Sequence, residues 1–360
     1  MPQNFTDQEQ KILDSIKISR IILPVFIGLG VVAFLIWKQW DTEIIAQIDW
    51  KTNTIFWLSI AIFLYVIRHM FYAWRLRVLS DKLFSWWKCI ELVFIWEFSS
   101  AVSPTSIGGS AVALFFLSQE KLSAAKTVSV IVYTMIVDTI FFLLTLPLLF
   151  YFLGPQVLRP NAITYGDLQG YGFSFWAVIL FMSSYGLVFF YGIFVKPQWL
   201  KRFLLWLSTR KILKRFSKGL RNIALDVVTT SKEISQKPFS YHLQVFTSSF
   251  GAWVTRFLAI NCIIIALVNN IPLDFWNQLL LYGRGEAMHT LVQFSPTPGG
   301  AGVTELLFEG FYSDFIPGGI AIIVALIWRL ITYYPYLLIG AIIIPNWVRK
   351  ILNRRRTESI

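Results

Sequence analysis

Hydrophobic positions in this chain come in long unbroken runs rather than in the short alternations of a sheet protein. Segments 21–37, 55–74, 127–153, 173–195, 242–268 and 320–345 each approach or exceed the roughly 18–20 apolar residues that span a bilayer as helix. Two further apolar pieces, 90–118 and 277–315, are interrupted. The first carries Ser103-Pro104-Thr105 and then Gly108-Gly109; the second carries Ser295-Pro296-Thr297 and then Gly299-Gly300. Proline removes a backbone donor and glycine admits left-handed backbone, so each piece is predicted to be two short helices around a break. Irregular backbone at membrane depth survives only where protein or a wet cavity covers it. Each piece therefore reads as a re-entrant hairpin.

The expected fold class is an all-α polytopic membrane protein with about six full spans and two re-entrant helical hairpins. Composition agrees, with 56% hydrophobic and only 14% charged residues. The first twenty residues are polar and mixed in charge, unlike a signal peptide. The formal charge of +12 lies mostly beside the apolar runs. Lys11, Lys17 and Arg20 precede the first run, Arg75, Arg77, Lys82 and Lys88 follow the second, and the tail adds Arg349, Lys350, Arg354, Arg355 and Arg356. Loop 196–238 holds eleven Lys or Arg against Asp226 and Glu233. Basic loops stay cytoplasmic, so both termini and this loop are expected inside, and no nucleic-acid partner is called for. The organisation predicted is a cytoplasmic segment 1–20, one transmembrane domain 21–345 and a basic cytoplasmic tail 346–360. Apolar residues at helical spacing also suit part of loop 196–238 to an amphipathic helix on an anionic leaflet, or to docking a soluble partner.

Followed through that topology, hairpin 90–118 enters from inside and hairpin 277–315 from outside. The two broken stretches then face each other from opposite leaflets, as in an inverted repeat of 55–153 and 242–345. Interrupted segments at matching places in two halves point to a transporter's binding site.

Pro296-Thr297-Pro298-Gly299-Gly300-x-Gly302-x-x-Glu305 resembles the PTPGGxGxxE signature of flippase-like membrane proteins related to the transmembrane region of bacterial lysylphosphatidylglycerol synthases. Pro104, Gly108-Gly109, Asp138 and Trp328-Arg329 add to the likeness, which covers roughly 20–345. Two departures stand out. Gly109-Ser110-Ala111-Val112-Ala113 replaces the Gly-Glu-x-x-Arg element of many relatives, and the soluble aminoacyl-transferase domain of the full synthases does not follow. The resemblance implies lipid translocation in a bacterial inner membrane without lipid modification.

Candidate residues fall into two groups. Helix N-termini after the glycine turns present unpaired N–H groups suited to a lipid phosphate, which nominates Thr105, Gly108, Gly109, Ser110, Thr297, Gly299, Gly300 and Gly302. Glu305 and Arg329 join them as translocation candidates. The remaining intramembrane charges are Glu97, Asp138, Arg256, Arg284, Glu286 and His289, each a functional hypothesis by its placement. Structural ion pairs are the competing reading, with Arg329 matched to Glu305 or Asp138. Glu286 and His289, at i,i+3, suggest a hydrogen-bonded pair; one His and one Glu are too few for a metal. His69 is expected to snorkel towards the cytoplasmic surface. The partner implied is a membrane lipid with an anionic or lipid-linked phosphate head group, with proton or cation coupling open and no cofactor. An intramembrane lipid-modifying transferase or hydrolase is the alternative, against which stands the lack of any HExxH or GxSxG motif.

Overall fold

The computed structural model describes residues 52–102, 106–120, 122–210, 217–293, 295, 297–300 and 302–358. The apolar segment 21–37 and Thr105 lie outside them. Every described regular element is helical. In chain order they are α1 (Thr52–Leu79), α2 (Trp86–Val102), α3 (Ser106–Gln119), α4 (Ala124–Leu153), α5 (Gln169–Phe194), α6 (Pro197–Ser208), α7 (Ser217–Ser235), α8 (Phe239–Leu267), α9 (Phe275–Val292), α10 (Val303–Tyr312), α11 (Gly318–Thr332) and α12 (Tyr334–Glu358). Five described stretches are long and apolar enough to cross a membrane, the last joining α11 to α12.

α1 shows how this sequence folds around a polar interior. Ile55, Phe56, Ile62, Phe63 and Val66 are exposed on its outer face, while Tyr65, Arg68, Tyr72 and Arg75 are buried on the other. Those four polar positions recur at helical spacing and form one stripe. Arg75 of this stripe reaches α8, the helix with which α1 makes its longest contact, while Arg68 turns to α2 and α12. Phe71 meets Gly251 and Arg75 reaches Ser249, so the two helices run antiparallel.

Two separate apolar clusters hold the helices. The boundary between them falls between Ala61 and Tyr72 on α1, Val137 and Phe141 on α4, and Ala252 and Trp253 on α8. The buried apolar residues of α2, α3 and, Tyr336 apart, α12 belong to one cluster; those of α9, α10 and, Ile322 apart, α11 belong to the other. The two interrupted pieces thus pack into different halves of the molecule.

Segment 320–345, expected as one span, is two helices in series. The chain turns at Tyr333, before Pro335, whose ring bars a continuous helix and whose missing N–H suits a helix start. The basic stretch 196–238 likewise gives two helices. α6 buries Leu200 and Leu204, and α7 buries Ala224, Val227 and Ile234, against the first cluster. In the loop after α1, Asp81 binds Lys126 of α4 at 2.6 Å and Lys237, just before α8, at 2.7 Å.

Candidate functional site

At the boundary of the two clusters lies a cavity of about 400 Å³. Arg68, Arg75, Arg256 and Arg329 reach its wall, with Glu97, Asp138 and His289. Tyrosines 65, 72, 185, 333 and 336 fill much of the space between these charges.

Three of the four arginines are neutralised in place. Arg68, 1% exposed, donates to Glu97 Oε2 at 2.8 Å and to the hydroxyls of Tyr65 and Tyr336, each at 3.0 Å. Arg75 donates to Asp138 Oδ1 at 2.6 Å and Ser249 Oγ at 3.0 Å, and Trp253 Nε1 donates to the same Asp138 oxygen at 3.0 Å. Arg329 pairs with Glu305 at 2.6 Å, both side chains being almost wholly buried. The fourth differs. Among the described residues Arg256 has no carboxylate within ion-pair reach; its guanidinium lies 3.5 Å from His289 Nδ1 and over the Trp253 ring.

The second glycine turn is built around the Arg329–Glu305 pair. Gly299, Gly300 and Gly302 all have positive φ, a backbone region costly for other residues. Arg329 also donates to the Gly299 carbonyl, and Glu305 Oε2 accepts from the Gly302 N–H at 2.8 Å. Both Glu305 oxygens are therefore engaged in holding the turn, and the carboxylate itself does not reach the cavity wall. Thr297, Gly299 and Gly300 do. Ser295 and Thr297 hydroxyls lie 2.8 Å apart, and Gly300 N–H donates to the Thr297 carbonyl at 3.0 Å. A Cβ on Gly299 would sit 2.4 Å from Tyr333, whose hydroxyl donates to the Ala101 carbonyl at the end of α2. One tyrosine thus touches both interrupted pieces. Gly108, Gly109 and Ser110 lie in the opening turns of α3.

Other candidates sit elsewhere. Arg284 is fully buried away from the cavity, bound to Asp314 and, at 2.9 Å, to the Gln156 carbonyl, where it ties α9 to two loops. Glu286 and His289 do not bond to each other: Glu286 accepts from Thr145 on α4, while His289 turns to Arg256 on α8. Successive turns of α9 meet different neighbours, which separates the pair. His69 does not snorkel; it is buried, 3.2 Å from the Tyr336 hydroxyl. No group of three metal-binding side chains occurs among the described residues.

Arg68 and Arg75 were absent from the sequence candidates because they stand beside the basic cluster 75–88, which the positive-inside pattern already explained. The available signal was the Tyr65, Arg68, Tyr72, Arg75 stripe on one helix face.

The family model described as the lysylphosphatidylglycerol synthase TM region matches residues 21–340. The chain belongs to this family. It is a multi-pass membrane protein of a flippase-like, lipid-translocase family. A UPF0104 membrane protein of Archaeoglobus fulgidus is 24% identical over 336 residues, covering 89% of this chain and 95% of its own. No solved structure matches. Of the PTPGGxGxxE residues of this chain, Gly299 and Gly302 belong to the turn that Arg329 and Glu305 hold beside the cavity.

Proposed function

We propose that the protein translocates a phospholipid or lipid-linked anionic head group across the bilayer, through the arginine-lined cavity at the midplane. The observation that carries this reading is the cavity itself: four arginines at the boundary of two apolar clusters, in a space within the roughly 300–1,000 Å³ of ligand sites. A charge inside a membrane protein is costly and faces a path or a partner. Anionic head groups are the matching cargo, since arginine binds phosphate oxygens in planar, charge-assisted pairs.

The finer topology belongs to the same proposal. Hairpins 90–118 and 277–315 enter from opposite faces, with segment 21–37 completing six spans and both termini cytoplasmic. Their packing into different apolar clusters, and the antiparallel α1–α8 contact, support this inverted repeat. Each hairpin then brings its interruption towards the same cavity from its own leaflet.

The test is reconstitution of the purified chain into liposomes carrying fluorescent phosphatidylglycerol or phosphatidylcholine, with dithionite added outside. Inner-leaflet phosphatidylglycerol is expected to become quenchable, faster than phosphatidylcholine. If both probes stay as protected as in protein-free vesicles, the translocase reading falls.

A further inference from the structure

The two halves of the chain put ionisable side chains at matching places, where the sign of the charge differs. The register that lays Gly108-Gly109 on Gly299-Gly300 lays Asp138 on Arg329. The register that lays Ser103-Pro104-Thr105 on Ser295-Pro296-Thr297, one residue different, lays Glu97 on His289. Arg68 and Arg256 stand on α1 and α8, the two helices that pack antiparallel against each other. All six residues line the one cavity.

The contacts repeat as well. In the first half Arg68 of α1 is bound to Glu97 of α2; in the second, Arg256 of α8 lies against His289 of α9. The first arrangement is a closed ion pair. The second puts an imidazole where the carboxylate stood, and an imidazole beside a guanidinium supplies no counter-charge. Glu97 lies within electrostatic range of Arg256, but its hydrogen bond goes to Arg68. Asp138, the other carboxylate of the wall, is engaged by Arg75 and Trp253. With Arg329 matched by Glu305, the cavity carries one positive charge that nothing among the described residues balances.

We infer that Arg256, with His289 beside it, is the anchor for the phosphate of the transported head group, and that exchanging the first half's glutamate for histidine in the second is what leaves it open. A partly buried guanidinium without a counter-ion is poorly tolerated in an apolar body. A phosphate monoanion supplies the missing charge and accepts two of its N–H groups. Arg256 is only partly buried, whereas Arg68 is 1% exposed and encased by tyrosines, so the unbalanced arginine is also the reachable one. This inference rests on the proposed translocation of an anionic lipid and names the residue that holds it.

The full chain in detergent is titrated calorimetrically with dihexanoyl-phosphatidylglycerol and, separately, with inorganic phosphate. Arg256→Gln is expected to weaken lipid binding by at least about tenfold, about 1.4 kcal/mol. His289→Glu, which installs the first half's ion pair, is expected to do the same while keeping the arginine. The double variant, in which the introduced carboxylate has no arginine to neutralise it, should bind no better than either single one. Arg256→Lys, which keeps the charge but not the paired N–H groups, should bind more weakly than the unsubstituted chain and more tightly than Arg256→Gln. Thermal unfolding checks each variant; if Arg256→Gln does not fold, His289→Glu and Arg256→Lys decide. Lipid binding unaffected by Arg256→Gln, or by His289→Glu, overturns the anchor and leaves the translocase reading standing. Arginine-dependent binding of inorganic phosphate alone upholds the anchor and removes the lipid as cargo. If the unsubstituted chain binds neither probe, both readings fall.

Discussion

The Arg329–Glu305 pair shows how a signature motif can be structural at the atom and functional at the wall. Glu305 holds the Gly302 N–H and the Arg329 guanidinium, and Arg329 holds the Gly299 carbonyl. Removing one partner of a buried pair leaves the other charge uncompensated, at about 3–5 kcal/mol. Glu305→Gln is therefore expected to lower unfolding stability by that order in a detergent denaturation series. Gly299→Ala should also destabilise, by the roughly 1–2 kcal/mol of left-handed backbone plus a clash with Tyr333. Tyr333→Ala should recover the clash but not the backbone term, so the double variant should be more stable than the two single losses added together. From the sequence the motif was legible as a break and Glu305 as a special carboxylate. Its division of two oxygens between a backbone N–H and a distant arginine was not, because that depends on α11 returning to the same turn.

Among elements, the interrupted pieces were found from proline and glycine alone, and 90–118 and 277–315 each hold two helices. The discontinuity at Tyr333 went unread because Pro335 lies in an apolar run long enough to cross without a break. The opposed-hairpin reading has a direct check. With Cys89 and Cys262 replaced, Ser110→Cys should label with an impermeant maleimide from the cytoplasmic side and Ala301→Cys from the opposite side. Labelling of both from one side only would refute the inverted repeat. Outside the spans, Asp81 joins α1, α4 and α8. Burial alone would raise its carboxyl, but hydrogen bonds from Lys126 and Lys237 hold it below the usual carboxylate range. The stabilisation is present in full above the unfolded carboxyl's value, about 3.9, and is lost as pH falls through the lower folded value. Unfolding followed across pH 2 to 6 should show that acid loss in the native chain and less of it in Asp81→Asn, a residue that also accepts the positive φ found there.

For the whole molecule, hydropathy was enough to give a helical membrane protein, and basic residues near the run ends suggested its orientation. Polarity inside the molecule was harder to read. An arginine in α1 looks the same in sequence whether it meets head groups outside or a carboxylate from α2 within; only packing tells these apart. The division into two apolar clusters was likewise invisible, since α1, α4, α5 and α8 each contribute to both. What emerges is a body whose charged wall is almost, but not fully, neutral. On the proposed reading, translocation moves that residue of charge through part of the membrane field, and the potential acts on it. An elementary charge displaced across a membrane changes energy by about 2.3 kcal/mol per 100 mV. On the proposed reading, a phosphate monoanion on Arg256 cancels that charge, so the loaded protein is electrically silent. The empty one is not, and the membrane potential then does its work on the return.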